Sequence, residues 1–201
     1  MSQDDDDARR QLQALRDALD VPASQVSLET VVPVFVPDEL ASRTWPGPVI
    51  PVKVPGLAIT WAALTAEQTM RYVTDEMAKL WSAKGRDWRA ESMENLAALS
   101  EQLSSHSWVR EDGSYSGLIM LHDDGIGPSR LLLSGWLEET FPEGYSCAIP
   151  ERSVGVVVSE QASTAERQRV VDYVDHCYRN GTQPFIQGFF KPEQLVAREA
   201  A

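Results

Sequence analysis

The stretch from His122 to Arg130 combines residue types that hold metal ions and phosphate groups in other proteins. It reads HDDGIGPSR and separates two apolar runs, Gly117–Leu121 and Leu131–Leu133. A glycine-rich loop that enters a helix presents backbone N–H groups to an anion, and histidine beside aspartate supplies metal ligands. The candidate ligand-binding residues are therefore His122, Asp123, Ser129 and Arg130.

The spacing within this loop does not match the known phosphate-binding motifs. A Walker A loop requires a lysine after its glycines, and this chain has Pro128 and Ser129 there. Asp-Gly and Gly-Pro are turn dipeptides by their backbone chemistry alone. We interpret the loop first as a strand-to-helix turn with Ser129 as the helix N-cap, and the alternative is a generic anion site at Arg130.

A metal site in the same loop is disfavoured by geometry. Consecutive residues at the end of a strand point to opposite sides, so His122 and Asp123 seldom hold one ion. Cys147 alternates with core positions of a strand, and Cys177 lies on the apolar face of a helix, as inert thiols do. No Gly-x-Ser-x-Gly elbow occurs. The sequence therefore predicts no catalytic residue, no metal and no cofactor.

Tryptophans are the second group that could have a function. Trp45 and Trp108 lie in polar or proline-rich stretches, where a tryptophan is a common anchor for a protein partner. Trp136 is instead predicted to lie in a buried helix in which Gly135 permits close packing. Trp45 and Trp108 are thus the candidate partner-binding residues.

Charge and composition narrow the classes of partner. The 201 residues carry a net charge of −12, which disfavours nucleic acid and anionic membrane surfaces as partners and favours a basic protein. The N-terminal MSQDDDDARR lacks the apolar core of a secretory signal, and no apolar run approaches the ~20 residues of a membrane span. We therefore expect a cytoplasmic protein with no membrane segment; its oligomeric state is left open.

The elements that must position these residues indicate two parts. Residues 1–25 form an acidic tail and a short helix with Leu12, Leu15 and Leu19 on one face, and residues 26–201 form one domain. Runs of strands, paired helices, more strands and a helix indicate an α+β fold, with an antiparallel or mixed sheet, an antiparallel helix pair and a C-terminal helix packed on the sheet. The predicted strands are at 30–36, 49–54 and 57–61, followed by helices from 65 and after 87. Residues 104–116 are predicted to form either a polar loop or a hairpin turning at 112–113. A helix at 131–140, a strand hairpin at 145–158 and a helix from 163 to 181 complete the prediction.

Two details of this prediction concern element ends. Pro33 and Pro51 mark edge or bulged strands, because proline cannot donate to a strand ladder. Thr65-Ala-Glu-Gln68 and the residues from Ser163 to Glu166 both match a capping box, so a helix is predicted to begin at each.

Several strings together resemble the YtpQ-like family of uncharacterised bacterial proteins. They are YVTDEMAKLW, ESMENL, SRLLLSGWLEE, CAIPERSVGVVV and PFIQGFFKPEQL, over roughly residues 28–195. Pro150 and Arg152 would form the turn that joins two apolar strands in that family, and Ser153 stands where an acidic residue is expected. The resemblance implies an α+β fold and a bacterial, cytoplasmic protein, and it implies no activity, cofactor or functional residue.

The sequence as a whole favours a non-catalytic protein-binding module of the adaptor, chaperone-like or toxin-neutralising kind. The alternative is an enzyme, or a protein that binds a small ligand or metal, using the loop His122–Arg130.

Overall fold

Two antiparallel sheets form the centre of the protein in the computed structural model, which describes residues 26–42, 45–65, 69–101, 106–122 and 124–198. The sheets are accompanied by four α-helices within these ranges, so the predicted α+β class is confirmed. The predicted acidic tail and N-terminal helix, residues 1–25, lie outside the described residues.

The first sheet is built around a central strand. Its strands are β1 (Val31–Pro37), β2 (Ile50–Pro51), β3 (Leu57–Leu64) and β4 (Met70–Tyr72). Strand β3 pairs with β1 along one side and with β2 and β4 along the other, always antiparallel. Strand β1, which contains Pro33, pairs only with β3 among the described strands, so its predicted edge position is confirmed.

The second sheet has the order β5-β6-β8-β7. Its strands are β5 (His106–Val109), β6 (Tyr115–Leu121), β7 (Tyr145–Glu151) and β8 (Val154–Ser159). Both predicted hairpins are present: β5 and β6 are joined by the turn at Gly113, whose φ is +83°, and β7 is joined directly to β8.

Helices cover both sheets. They are α1 (Asp75–Ala83), α2 (Trp88–Ser100), α3 (Ser134–Thr140) and α4 (Thr164–Asn180). Helix α4 packs on the second sheet through Val170 and Val174, as predicted for the C-terminal helix. Helix α2 packs on β1 and β3 through Leu96. Among the described residues, no helix combines the length and apolar content that crossing a bilayer requires.

One apolar cluster joins the two sheets. It takes side chains from the first sheet and the segment between β2 and β3, from the second sheet, and from the segments around α3 and the C-terminus: Phe35, Val52, Val54, Leu57, Leu118, Met120, Leu131, Leu137, Phe141, Tyr145, Cys147, Ile149, Val157, Phe190 and Leu195. The chain after α4 also ties the sheets together, because Phe190 bridges to Cys147 and Ala197 bridges to Val52. Because both sheets contribute side chains to this close-packed cluster, a change in the packing of one sheet affects the other.

The start of the first helix differs from the prediction. Thr65 does not begin a helix, because its backbone N–H donates to the Thr69 carbonyl and closes a hairpin between β3 and β4. Helix α1 begins nine residues later than the predicted cap, where the Thr74 hydroxyl accepts from the Met77 N–H at 3.3 Å. Pairing of β4 with β3 therefore outweighs the local capping signal at Thr65.

The predicted helix at 131–140 is divided in two. A 3₁₀ segment, Pro128–Leu132, precedes α3, and Leu133 separates them. Gly127, not Ser129, is the N-cap of the 3₁₀ segment, and proline occupies the first helical position, where its missing N–H costs nothing. The Ser129 N-cap prediction was therefore wrong.

Candidate binding cleft

A cleft of about 830 Å³ lies between α2, the end of β6 and the segment that joins the 3₁₀ turn to α3. The described side chains that line its apolar part are Met93, Ala97, Met120, Leu132, Leu133 and Trp136. Polar groups complete the lining: Glu94, Ser100, Glu101, His122, Arg130 and Ser134. A largely apolar cavity of this size with a few polar groups has the properties of a binding site.

Helix α2 forms one wall, and the adjacent side of the helix packs on the first sheet. Leu96 is fully buried against Val32 and Val34 of β1, which leaves Met93 and Ala97, one turn apart, facing the cleft. The helix is also fixed by side-chain hydrogen bonds. The Asn95 amide donates to the carbonyls of Leu28 and Val31, both at 2.9 Å.

The other wall depends on a close backbone approach at Gly127. A Cβ added there would overlap the backbone oxygens of Met120 and Ser153, so only glycine lets the loop lie against β6 and the β7–β8 turn. Gly125, at φ +70°, makes the preceding bend. The two glycines of HDDGIGPSR thus have structural roles, and the loop turns the chain into the 3₁₀ segment.

An ion pair fixes this loop from within. Both terminal nitrogens of Arg130 donate to Asp124, at 3.2 Å to Oδ1 and 2.7 Å to Oδ2. The Ile126 N–H also donates to Asp124 Oδ1 at 3.1 Å. Burial acts to raise the pKa of the Asp124 carboxyl, but the bonds from Arg130 and Ile126 outweigh it and the pKa is lowered.

Arg130 is an unusual lining residue because it is only 2% exposed. Its pairing with Asp124 uses the two terminal nitrogens, and its Nε–H is buried without a hydrogen-bond acceptor among the described residues. The side-on edge of the guanidinium, formed by Nε and Nη2, is the edge that a bidentate carboxylate would use.

The structure brings together two of the four predicted ligand-binding residues. His122 and Arg130 both line the cleft. Ser129 is buried at 2% exposure and lies away from the cleft, beside a narrow gap lined also by Val34 and Phe35. Asp123 lies outside the described residues.

The two predicted partner-binding tryptophans are half-buried against the protein itself. Trp45 packs edge-on against Tyr72, with ring centroids 4.8 Å apart, and its indole N–H is buried without an acceptor in the described ranges. Trp108 lies in strand β5 and not in a loop, and it contacts Tyr173 of α4 with centroids 5.9 Å apart. Their role in partner binding stays a prediction.

Trp136 is the functional candidate that the sequence analysis missed. It was predicted to be buried, but it is 45% exposed and lines the cleft. The close-packing role predicted for Gly135 was also wrong, because a Cβ there would have no neighbour within 4 Å. The division of the predicted helix explains both errors, since it rotates α3 so that Leu137 is the residue buried in the core.

Carboxylates dominate the exposed charge around the cleft. Glu94 and Glu101 line it from α2, whereas Glu138 and Glu139, which follow Trp136 in α3, are not among the lining residues. All four side chains are exposed, and none forms an ion pair with a described residue. Arg130, the arginine of the lining, is already paired with Asp124.

The cysteines lie away from the cleft. Cys147 is fully buried, and burial, with a smaller contribution from Glu193, raises the pKa of its thiol to about 12, so it is not a thiolate at neutral pH. Cys177 is half-buried on α4 beside Tyr173. Among the described residues there is no group of three histidine, cysteine, aspartate or glutamate side chains placed to hold a metal.

Comparison with known proteins adds no family to this description. No protein-family model, curated protein or solved structure matches the chain. Function is therefore inferred from the geometry of the cleft.

Proposed function

We propose that this chain is a non-catalytic protein-binding module and that its cleft receives apolar side chains of a partner protein. The observation that carries the proposal is the lining of the cleft, in which Met93, Ala97, Leu132 and Leu133 surround an opening beside the exposed Trp136. Methionines suit such a surface because their flexible thioethers adapt to different partner side chains. An adaptor, a chaperone-like protein and a toxin-neutralising protein all use surfaces of this kind.

Trp136 has the features of an anchor for the partner. Its large ring supplies apolar contact area at low conformational cost, and tryptophan is enriched among the residues that dominate binding energies. The half-buried Trp45 and Trp108 would act at other surfaces, and they are secondary candidates for the same partner.

Binding of a neutral apolar dye, Nile red, tests whether the cleft accepts apolar groups. Ala97 and Ala98 are adjacent, exposed alanines of α2, and of the two only Ala97 lines the cleft. We expect dye fluorescence to rise with wild type and with Ala98→Phe, and to stay low with Ala97→Phe, whose ring fills the space. A neutral amphipathic helical peptide of leucine and glutamine should displace the dye from wild type.

The two phenylalanine variants carry the same helix-propensity cost, so a difference between them reports on the cleft. Equal dye binding by both variants, or no binding by wild type, contradicts the proposed function.

One observation favours a second candidate function, the binding of a small ligand by the loop His122–Arg130. The unpartnered Nε–H of Arg130 is a buried donor beside an apolar space, which suits an apolar carboxylic acid. A thermal-shift screen against metabolites and divalent metals tests it, since a ligand at 100 times its Kd stabilises the fold by about 2.7 kcal/mol. The hit must disappear in the His122→Ala/Asp123→Ala variant while that variant stays folded.

We also infer a bacterial, cytoplasmic protein of the YtpQ-like family. Its proposed partner is a basic protein, and neither nucleic acid nor a membrane is a proposed target. The net charge of −12 supports the choice of partner.

A further inference from the structure

We infer that the partner segment is an amphipathic helix with basic flanks, which inserts its apolar stripe into the cleft and places lysine or arginine side chains against the Glu94 and Glu101 carboxylates of α2. This inference rests on the proposed function, because it names the chemistry of the segment that the cleft binds. It follows from the placement of charge around the apolar lining.

The rim of the cleft on the α2 side is acidic along its length. Glu94 and Glu101 lie seven residues apart, which is two helical turns, so they mark one side of the same groove that Ala97 lines. Both side chains are exposed and lack an ion-pair partner among the described residues. A helical partner with basic residues two turns apart would therefore meet both carboxylates.

On the α3 side the cleft is bordered by the ring of Trp136, which is 45% exposed. Such a ring is suited to a long basic side chain, whose methylenes can cover it while the cation stays in water or meets a carboxylate of α2.

Positive groups within the cleft do not cancel this pattern. The charge of Arg130 is neutralised by Asp124 through two hydrogen bonds, and the guanidinium is buried. His122 is the other basic residue of the lining. Among the residues that line the cleft, an acidic partner segment would meet two carboxylates without an ion pair, Glu94 and Glu101, and no unpaired arginine or lysine.

The size of the cleft and the spacing of its carboxylates suit a helix face. Its apolar lining includes Met120, Leu132 and Leu133, and its volume of about 830 Å³ accommodates several apolar side chains at once. Helices docked in grooves insert such side chains at positions i, i+3, i+4 and i+7.

Three synthetic helical peptides with the same leucine pattern test the inference on the full-length chain. Their polar positions are all lysine, all glutamine or all glutamate, and their Kd values are measured by calorimetry at low salt. We expect the lysine peptide to bind about tenfold more tightly than the glutamine peptide, since several exposed ion pairs each contribute a little. The glutamate peptide should bind more weakly than either, and the preference should shrink at high salt.

Charge reversal on α2 locates the effect. In Glu94→Lys/Glu101→Lys the preference for lysine should vanish or reverse. The control, Glu143→Lys/Glu193→Lys, changes the net charge equally at two exposed positions away from the cleft and should keep the preference.

The outcomes separate the two proposals. The inference of a basic helix is overturned if the lysine and glutamine peptides bind with equal affinity. It is also overturned if the preference for lysine survives the charge reversal of Glu94 and Glu101. In both cases the proposal of a protein-binding module is unaffected. Failure of every peptide and of Nile red overturns the proposed function. Self-association that Ala97→Phe abolishes would assign the cleft to a second copy. A gain of dye binding in Leu12→Asp/Leu15→Asp/Leu19→Asp would assign it to residues 1–25, and either result would contradict the inference.

Discussion

At Arg130, one guanidinium connects the loop that shapes the cleft with the cleft itself. Its end-on pairing with Asp124 is almost fully buried on the arginine side, where the side chain is 3% exposed, against 31% for the carboxylate. Breaking one half of such a pair leaves a buried charge without compensation, which costs far more than the pair contributes relative to an apolar replacement. The geometry of the loop therefore depends on Asp124.

Replacing Asp124 by asparagine should destabilise the protein by about 3 kcal/mol in urea unfolding at pH 7. The control is Asp175→Asn, which removes the exposed ion pair with Arg179 and should change stability by less than about 0.5 kcal/mol. Similar losses in the two variants would contradict the structural role of the buried pair.

The same ion pair sets a pH dependence. The pKa of Asp124 is lowered in the folded state from its ordinary value of 3.8. Its stabilising contribution is therefore complete above pH 3.8 and is lost as pH falls through the lower folded pKa. Urea unfolding between pH 5 and pH 2 should show this loss in wild type and a smaller one in Asp124→Asn.

At the scale of elements, the loop and α3 contain two glycines with opposite requirements. A Cβ added at Gly127 would overlap neighbouring backbone atoms, whereas a Cβ added at Gly135, within α3, would have no neighbour within 4 Å. Gly127→Ala should cost more than about 2 kcal/mol through backbone displacement, and Gly135→Ala should be neutral or stabilise by up to about 1 kcal/mol. Thermal unfolding of the two variants measures both, and a tolerated Gly127→Ala would show that the loop does not press on β6.

The cap of α4 is the clearest local signal in the chain. The Ser163 hydroxyl accepts from the Glu166 N–H at 3.3 Å, and the Ser163 N–H donates to Glu166 Oε2 at 2.7 Å. The pKa of Glu166 is lowered from 4.5 to about 2. The bond from the Ser163 backbone N–H lowers it most, and the Ser163 side chain and Arg110 lower it further. The stabilisation by the carboxylate is complete above pH 4.5 and is lost as pH falls towards 2.

Removing the cap should cost about 1 kcal/mol in Ser163→Ala, with Thr164→Ala, an exposed neighbour, as the matched control. In wild type, a carboxyl titration of Glu166 followed by NMR should have its midpoint near 2. A midpoint near 4.5 would contradict the bonds described at the helix start.

Elements with local signals were predictable, and those decided by tertiary contact were not. Three predicted features depend on a few adjacent residues, and all three are present: the turn at Gly113, the hairpin of β7 and β8, and the capping box at Ser163. The capping signal at Thr65 did not mark a helix start, because Met70–Tyr72 pair with β3 as a strand. Trp136 could not be placed from sequence, because a helix break at Leu133 decides which face of α3 meets the core.

At the scale of the whole molecule, the cleft exists because two sheets share one core. The apolar cluster that joins them buries Met120 and Leu131, and it leaves Leu132, Leu133 and Trp136 at the edge, where α2 supplies the facing wall. His122 and Arg130 could be predicted as candidate site residues from their types alone. Their position beside an apolar surface could not be predicted, since it depends on contacts between α2 and a loop distant in sequence.

The measurement that tests the binding role of the cleft most directly is an NMR titration of the methionine methyl groups. The chain has five methionines, of which Met93 and Met120 line the cleft and Met77, a residue of α1, is buried in a separate cluster. Addition of the leucine–lysine peptide should shift the Met93 and Met120 signals and leave Met77 unchanged. Peptide binding that leaves Met93 and Met120 unshifted would contradict the cleft as the binding site.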